Sequence, residues 1–315
     1  MSWILITLAS SILAALVSIF DKIFIYRFAQ SSKVLPLLVG ILQTSLGLAL
    51  LIVLPIFNGN IFNFSNSNFL SGILFASLSG ILFGISGNIM IRILHTNEVS
   101  RIVPITQTYP LFTIIIAYFL FNESIDVSQW IAIIFIIFGL IIISINPFSI
   151  YNESKFKYKI IFLLILGSFF MSLAYATTKM SLAEIPVILA HALRELFLGL
   201  IFLLFNLRKE TFSHVRELWN IRSPGIRIVG FNELLNANVA LLLMVWALSL
   251  GPVSLVSTIS SSRILFVVII GLIVEKFSNT SLLGEKLDRN SIITKLLGAL
   301  LIVIGIIGIS LNQSV

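Results

Sequence analysis

Residues 185–206 read IPVILAHALRELFLGLIFLLFN. A helix needs roughly 20 apolar residues to cross the ~30 Å hydrocarbon layer of a bilayer, and this stretch has that length. Yet His191, Arg194 and Glu195 stand near its middle. A soluble amphipathic helix sets one apolar stripe against a polar face. Here the residues flanking the Arg194-Glu195 pair are apolar all round. The stretch therefore reads as a membrane span with charge at its centre, and the fold depends on whether the rest of the chain reads alike.

Of the 315 residues, 58% are hydrophobic and 10% are charged, and the mean hydropathy is +1.10. Soluble domains run near 45–50% apolar and about 25% charged, so a soluble globular protein is excluded. Ten spans emerge, at 3–20, 34–57, 70–94, 102–121, 127–146, 159–178, 185–206, 226–249, 254–274 and 291–311. Their lengths are helical, unlike the ~10-residue alternating strands of a membrane barrel. The expected class is an all-α membrane protein. The first stretch lacks a basic leader region and is followed by Asp21-Lys22, so it reads as a span and not as a cleaved signal.

The 20 basic residues outnumber the 13 acidic ones, and their placement alternates. Seventeen fall in the odd-numbered loops: Lys22 to Lys33, Arg92 to Arg101, Lys155 to Lys159, Arg208 to Arg227, and Lys276 to Lys295. Lys179 alone falls in an even-numbered loop, and Arg194 and Arg263 lie inside spans. Cytoplasmic loops carry such an excess of Lys and Arg. The basic loops are therefore expected in the cytoplasm, with both termini on the other side. The basic balance is read as facing an anionic membrane surface, with no nucleic-acid partner.

The two halves resemble each other. Ser11 through Lys22 can be laid on Ser168 through Lys179 without a gap. Pro110 precedes Glu123 by thirteen residues, and Ser262 precedes Glu275 by the same step. Gly139 and Gly305 occupy similar apolar contexts. Five spans per half is an odd number, so the second half enters the membrane inverted. Residues 1–148 and 159–315 are the expected repeats, an arrangement common in secondary transporters.

On these residues the chain resembles the EamA-type branch of the drug/metabolite transporter superfamily. The first copy of the motif is Val99-Ser100 through Pro104 and Pro110, then Glu123, then Gly139; the second is Gly251-Pro-Val-Ser254, then Glu275, then Gly298 and Gly305. Glu285 competes with Glu275 for the second motif glutamate. The resemblance implies ten helices in two inverted five-helix repeats, and export or exchange of metabolites such as amino acids. It also implies an amino terminus in the cytoplasm and a basic second loop, whereas here the connection between spans 2 and 3 has no Lys or Arg.

An ionised side chain at a helix centre costs roughly 2.5–3.5 kcal/mol on insertion scales. Arg194, Glu195, Glu233 and Arg263 would together cost on the order of 10 kcal/mol if unpaired. They are either structural ion pairs inside the bundle or a substrate or coupling-ion site. Intramembrane ionisable groups default to the second reading. The candidate central-cavity set is Arg194, Glu195, His191, Glu233, Asn236, Ser260, Arg263, Gln107 and Tyr109. His191 and Glu195 share a helical face at i, i+4. Pro104 and Pro110 free backbone carbonyls around Gln107. Lys22, Lys179, Glu123 and Glu275 stand at span ends as gate or motif candidates.

Cysteine is absent and there are 3 His, and no P-loop, HExxH or G-x-S-x-G motif occurs. No metal, cofactor or enzymatic role is expected. Gly80-x-x-x-Gly84 permits close helix approach, within the monomer or in a homodimer. The reading is a secondary transporter of a small polar or amphipathic metabolite working by alternating access. Its rivals are a flippase of a lipid-linked substrate and a non-transporting membrane scaffold or receptor.

Overall fold

Apolar runs bounded by Pro, Asn and charge fold as helices in the computed structural model, which describes residues 2–57, 59, 61–62, 68–96, 105–106, 108–144, 158–277 and 289–311. In order these are α1 (Ser2–Arg27), α2 (Val34–Phe57), α3 (Phe69–Thr96), α4 (Tyr109–Phe121), α5 (Val127–Ser144), α6 (Tyr158–Leu182) and α7 (Val187–Asn206). Next come α8 (Lys209–Asn220), α9 (Pro224–Phe231), a π-helical turn (Asn232–Ala237), α10 (Asn238–Leu250), α11 (Val253–Ser260), α12 (Arg263–Phe277) and α13 (Arg289–Leu311). There is no strand among the described residues. Seven helices are long and apolar enough to span a bilayer, two of them being Pro224–Leu250, through the π turn, and Val253–Gly271. Three apolar helices are shorter: Tyr109–Phe121, Val127–Gly139 and Leu300–Ile309.

The expected boundaries need three corrections. The first span was set to end at residue 20, but α1 runs on to Arg27 and takes Asp21 and Lys22 into the helix. The Asp21 carboxylate has a partner inside the bundle, so the charge does not end the helix. The expected start of the fourth span, at 102, lies outside the described residues; residues 105–106 are helical, a turn is closed by Thr108 N–H to Ile105 C=O (3.2 Å), and a further helix starts at Tyr109. The ninth span breaks at Ser261-Ser262 without any proline. The Ser262 and Leu265 N–H groups reach back three residues, to Ile259 and Ser262 carbonyls (3.0 and 2.9 Å). The Arg208–Gly225 connection, read as a loop, holds the amphipathic α8.

The heaviest packing runs between the two halves of the chain. It joins α5 to α13, α2 to α7, α3 to both α6 and α7, and α1 to α10 and α12. Glycines set these approaches. A Cβ on Gly80 would strike the backbone carbonyl of Arg194, and one on Gly84 would meet Ile201 at 2.9 Å. The GxxxG step thus works inside the chain, at the α3–α7 contact. At the α5–α13 contact, Gly139 faces the Gly298 carbonyl and Gly305 faces Ile136 and the Ala132 carbonyl. Large side chains such as Ile52, Phe119 and Leu204 cover the outside.

Overpacking a close contact typically costs 1–3 kcal/mol, occasionally more. Gly80→Val and Gly139→Val are each expected to lower the melting temperature of the detergent-purified protein by several degrees. Gly230→Val, where nothing lies within 4 Å of an added Cβ, should leave it nearly unchanged.

Candidate functional site

The polar interior is built from α1, α2, α4, α6, α7, the π turn and the α11–α12 break. On α7, His191, Arg194 and Glu195 are all buried, Arg194 to 1% exposure. The Arg194 guanidinium lies 4.4 Å from the centre of the Phe83 ring, and among the described residues none of its three nitrogens has a hydrogen-bond partner. Neither Glu195 oxygen has a hydrogen bond from a described residue, although His191 Nδ1 stands 3.6 Å from Glu195 Oε1. His191 Nε2 meets Asn238 Oδ1 at 2.7 Å.

A π turn adds a residue to a helical turn, and such turns are frequent at functional sites. Here it buries Asn232, Glu233 and Asn236. Glu233 Oε2 accepts from Gln43 Nε2 at 3.0 Å. Asn232 donates to Asp21 Oδ1 at 3.0 Å, and Asn236 Nδ2 reaches Asn232 Oδ1 at 3.5 Å.

Arg263 begins α12 just past the Ser261-Ser262 break, and its Nη2 donates to Ser18 Oγ at 2.6 Å. Tyr109 donates to the Ser257 carbonyl at 3.2 Å and packs its ring 5.6 Å from that of Tyr175. The Ser260 carbonyl, at the same break, accepts from Ser11 Oγ at 3.4 Å.

The ionisable groups lie within electrostatic reach of one another in an open circuit: Arg263 and Asp21, Asp21 and Glu233, Glu233 and Glu195, Glu195 and Arg194. Among the described residues, neither arginine comes within 4.0 Å of a carboxylate oxygen.

Of the nine expected cavity residues, only His191 and Glu195 stand in direct contact among the described residues (3.6 Å); the others meet different partners or none, and Gln107 lies outside the described residues. Asp21, Ser18, Tyr175 and Phe83 were missed. For α1 a signal existed: Thr7, Ser11, Ser18 and Asp21 fall at helical spacing along one stripe, which continues past residue 20. The two described pockets lie elsewhere. One of about 20 Å³, room for about one water, is lined by Ser86, Thr106 and Ser168; the other opens beside Arg27 and Leu218.

The expected gate residues do different work. Lys179 donates to the Leu248 and Gly251 carbonyls (2.7 and 2.9 Å), capping the carboxyl end of α10. Glu123 accepts from the Val253 and Ser254 N–H groups (2.8 and 3.1 Å) and from the Ser254 hydroxyl. It caps the amino end of α11, where a carboxylate is favoured. The first motif glutamate therefore seats on the second Val-Ser motif. Lys22 is half-buried inside α1. Of Glu275 only the backbone in α12 is described, and Glu285 lies outside the described residues.

The model of the EamA-like transporter family matches residues 1–145. The resemblance read from the sequence is borne out over that stretch, and with its long apolar helices the chain is an integral, multi-pass membrane protein. None of the curated proteins matches it. A solved crystal structure whose title states no function is similar over 99% of this chain and 97% of its own, with a TM-score of 0.67 and 14% identity. That likeness concerns the fold.

Hydrogen bonds to a charged group contribute about 1.5–3 kcal/mol. Glu123→Ala is expected to cost about 2 kcal/mol, read as a lowered melting temperature, and Glu123→Gln should recover part of it by accepting one N–H.

Proposed function

We propose that the chain is a secondary transporter of a small polar or amphipathic metabolite carrying an anionic group, such as a carboxylate or phosphate. It works by alternating access between two inverted five-helix halves, residues 1–148 and 159–315. The ten-span reading adds the three shorter apolar helices to the seven longer ones. Its support is the pairing of helices across the halves: spans 2 with 7, 5 with 10, and the related pairs 3 with 6 and 1 with 8. The basic loops face the cytoplasm in this reading, in line with the positive-inside bias.

One observation carries it. Arg194 is wholly buried with no acceptor for its guanidinium among the described residues. A cation over an aromatic ring gains roughly 2 kcal/mol when desolvated, well short of the several kcal/mol that an unpaired buried ion costs. Two parallel N–H groups of a guanidinium match a carboxylate or phosphate fork. Substrate binding would offset the deficit, with Arg263 as the second positive group. Glu195, Glu233 and Asp21 hold the site near neutrality and contact the substrate's polar remainder. A scaffold would instead lock each arginine to a carboxylate, and the distances do not favour that.

Replacing interacting buried charges together by apolar side chains of similar volume is often neutral or stabilising by about 1–4 kcal/mol, whereas removing one alone leaves the other uncompensated. Arg194→Met/Glu195→Met should therefore melt at or above the wild-type temperature and abolish ligand response. The screen measures thermal shifts with amino acids, nucleotides, sugars and polyamines. The wild type is expected to be stabilised by an anionic class, and Arg194→Met/Glu195→Met and Arg263→Gln are not. A variant that keeps the wild-type ligand shift would overturn the assignment of its arginine.

A further inference from the structure

The basic end of the molecule holds an element that the transport reading does not use. Helix α8 packs on α2 through buried Thr211, Val215 and Leu218, at i, i+4 and i+7. At ~100° per residue, exposed Phe212, Arg216 and Trp219 fall within about 60° of one another on a second face. Glu210 and Glu217 fall on the far side, more than about 90° from that face. Aromatics and cation are thus gathered and the acids are segregated from them, the pattern of a helix lying in a membrane interface.

After α8 the chain reverses at Arg222, which has φ 51°, and Ser223 caps α9 by accepting from Gly225 N–H at 3.2 Å. Between this reversal and the end of α1 lies a groove of about 460 Å³. Tyr26, Leu218 and Ile221 give it apolar walls, and Arg27, Gln30 and Ser223 line it with polar groups. Arg222 stands between two lining residues. Arg27, Arg216, Arg222 and Arg227 are exposed, and none of their guanidinium groups makes a hydrogen bond or ion pair with a described residue.

We propose that this groove seats an anionic phospholipid. Arg27 and Arg222 take the headgroup phosphate, and Phe212 and Trp219 set α8 at the level of the glycerol backbone. Charge complementarity selects the occupant: juxtamembrane cations attract anionic lipid, and exposed aromatic rings place the groove at the interface. Clefts that bind small molecules commonly run to several hundred Å³, so the groove has room for a headgroup. The site stands at the ends of the helices, apart from the buried circuit, and holds whatever the transporter carries.

The test is native mass spectrometry with melting curves in detergent, adding phosphatidylglycerol, phosphatidylcholine or inorganic phosphate. Wild-type protein should retain phosphatidylglycerol over phosphatidylcholine and melt higher with it, while inorganic phosphate has no such effect. Arg27→Gln/Arg222→Gln should lose retention by about tenfold or more, with its melting in phosphatidylcholine unchanged, because both side chains are exposed. Arg27→Lys/Arg222→Lys should keep most of the retention. Equal retention of the two lipids, wild-type retention in the glutamine variant, or equal protection by inorganic phosphate would overturn the site.

Discussion

Hydrocarbon offers no hydrogen-bond partner, so every polar group at membrane depth must find one inside the protein. Most of this chain obeys that constraint by local means. Hydroxyls fold back on their own helix, as Thr7 does on the Trp3 carbonyl and Ser11 on that of Thr7. Others bridge helices: Ser79 to Thr178 and Ala174, Ser172 to the Tyr109 carbonyl, Ser86 to that of Gly167. Such bonds, with glycine-lined contacts, hold a bundle that has no hydrophobic drive between its helices. Arg194 and Glu195 stand outside this economy. Both are buried with no hydrogen bond to any of their side-chain nitrogens or oxygens among the described residues, as are both amide atoms of Asn88, and for charged groups that is the expected mark of a site shaped for something other than stability.

The backbone is irregular where these charges converge. The π turn at Asn232–Ala237 and the break at Ser261-Ser262 aim Glu233 and Arg263 into the same region. Non-helical backbone at membrane depth is tolerated where protein or a cavity covers it, and both interruptions meet α1, through Asp21 and Ser18. Helix α1 is thus the strut that couples the two irregular segments.

Much of this was legible beforehand. Hydropathy and length found the helical segments, because burial in lipid leaves few alternatives. The charged residues inside spans were legible as candidates, because each is too costly to face lipid. Three things were not legible. Asp21 reads as the end of the first span because charge is taken to bound a span, although its partner is Asn232, more than two hundred residues away in sequence. The ninth span broke at two serines, and no proline announced it. Helix α8 was hidden in a polar connection because its buried stripe is only Thr211, Val215 and Leu218. In each case the deciding contact is tertiary, and one chain's local pattern does not carry it.

The central claim is that water and solutes reach the charged circuit from each side of the membrane in turn. The chain has no cysteine, so single-cysteine variants can be made without removing any other thiol. The most direct measurement is labelling of Ser260→Cys in oriented proteoliposomes by a membrane-impermeant maleimide, applied from one face and then the other. The account predicts labelling from both faces, slowed by any ligand that raises the melting temperature. A thiol at position 260 that is reached from neither face, in protein that is folded and inserted, would contradict it.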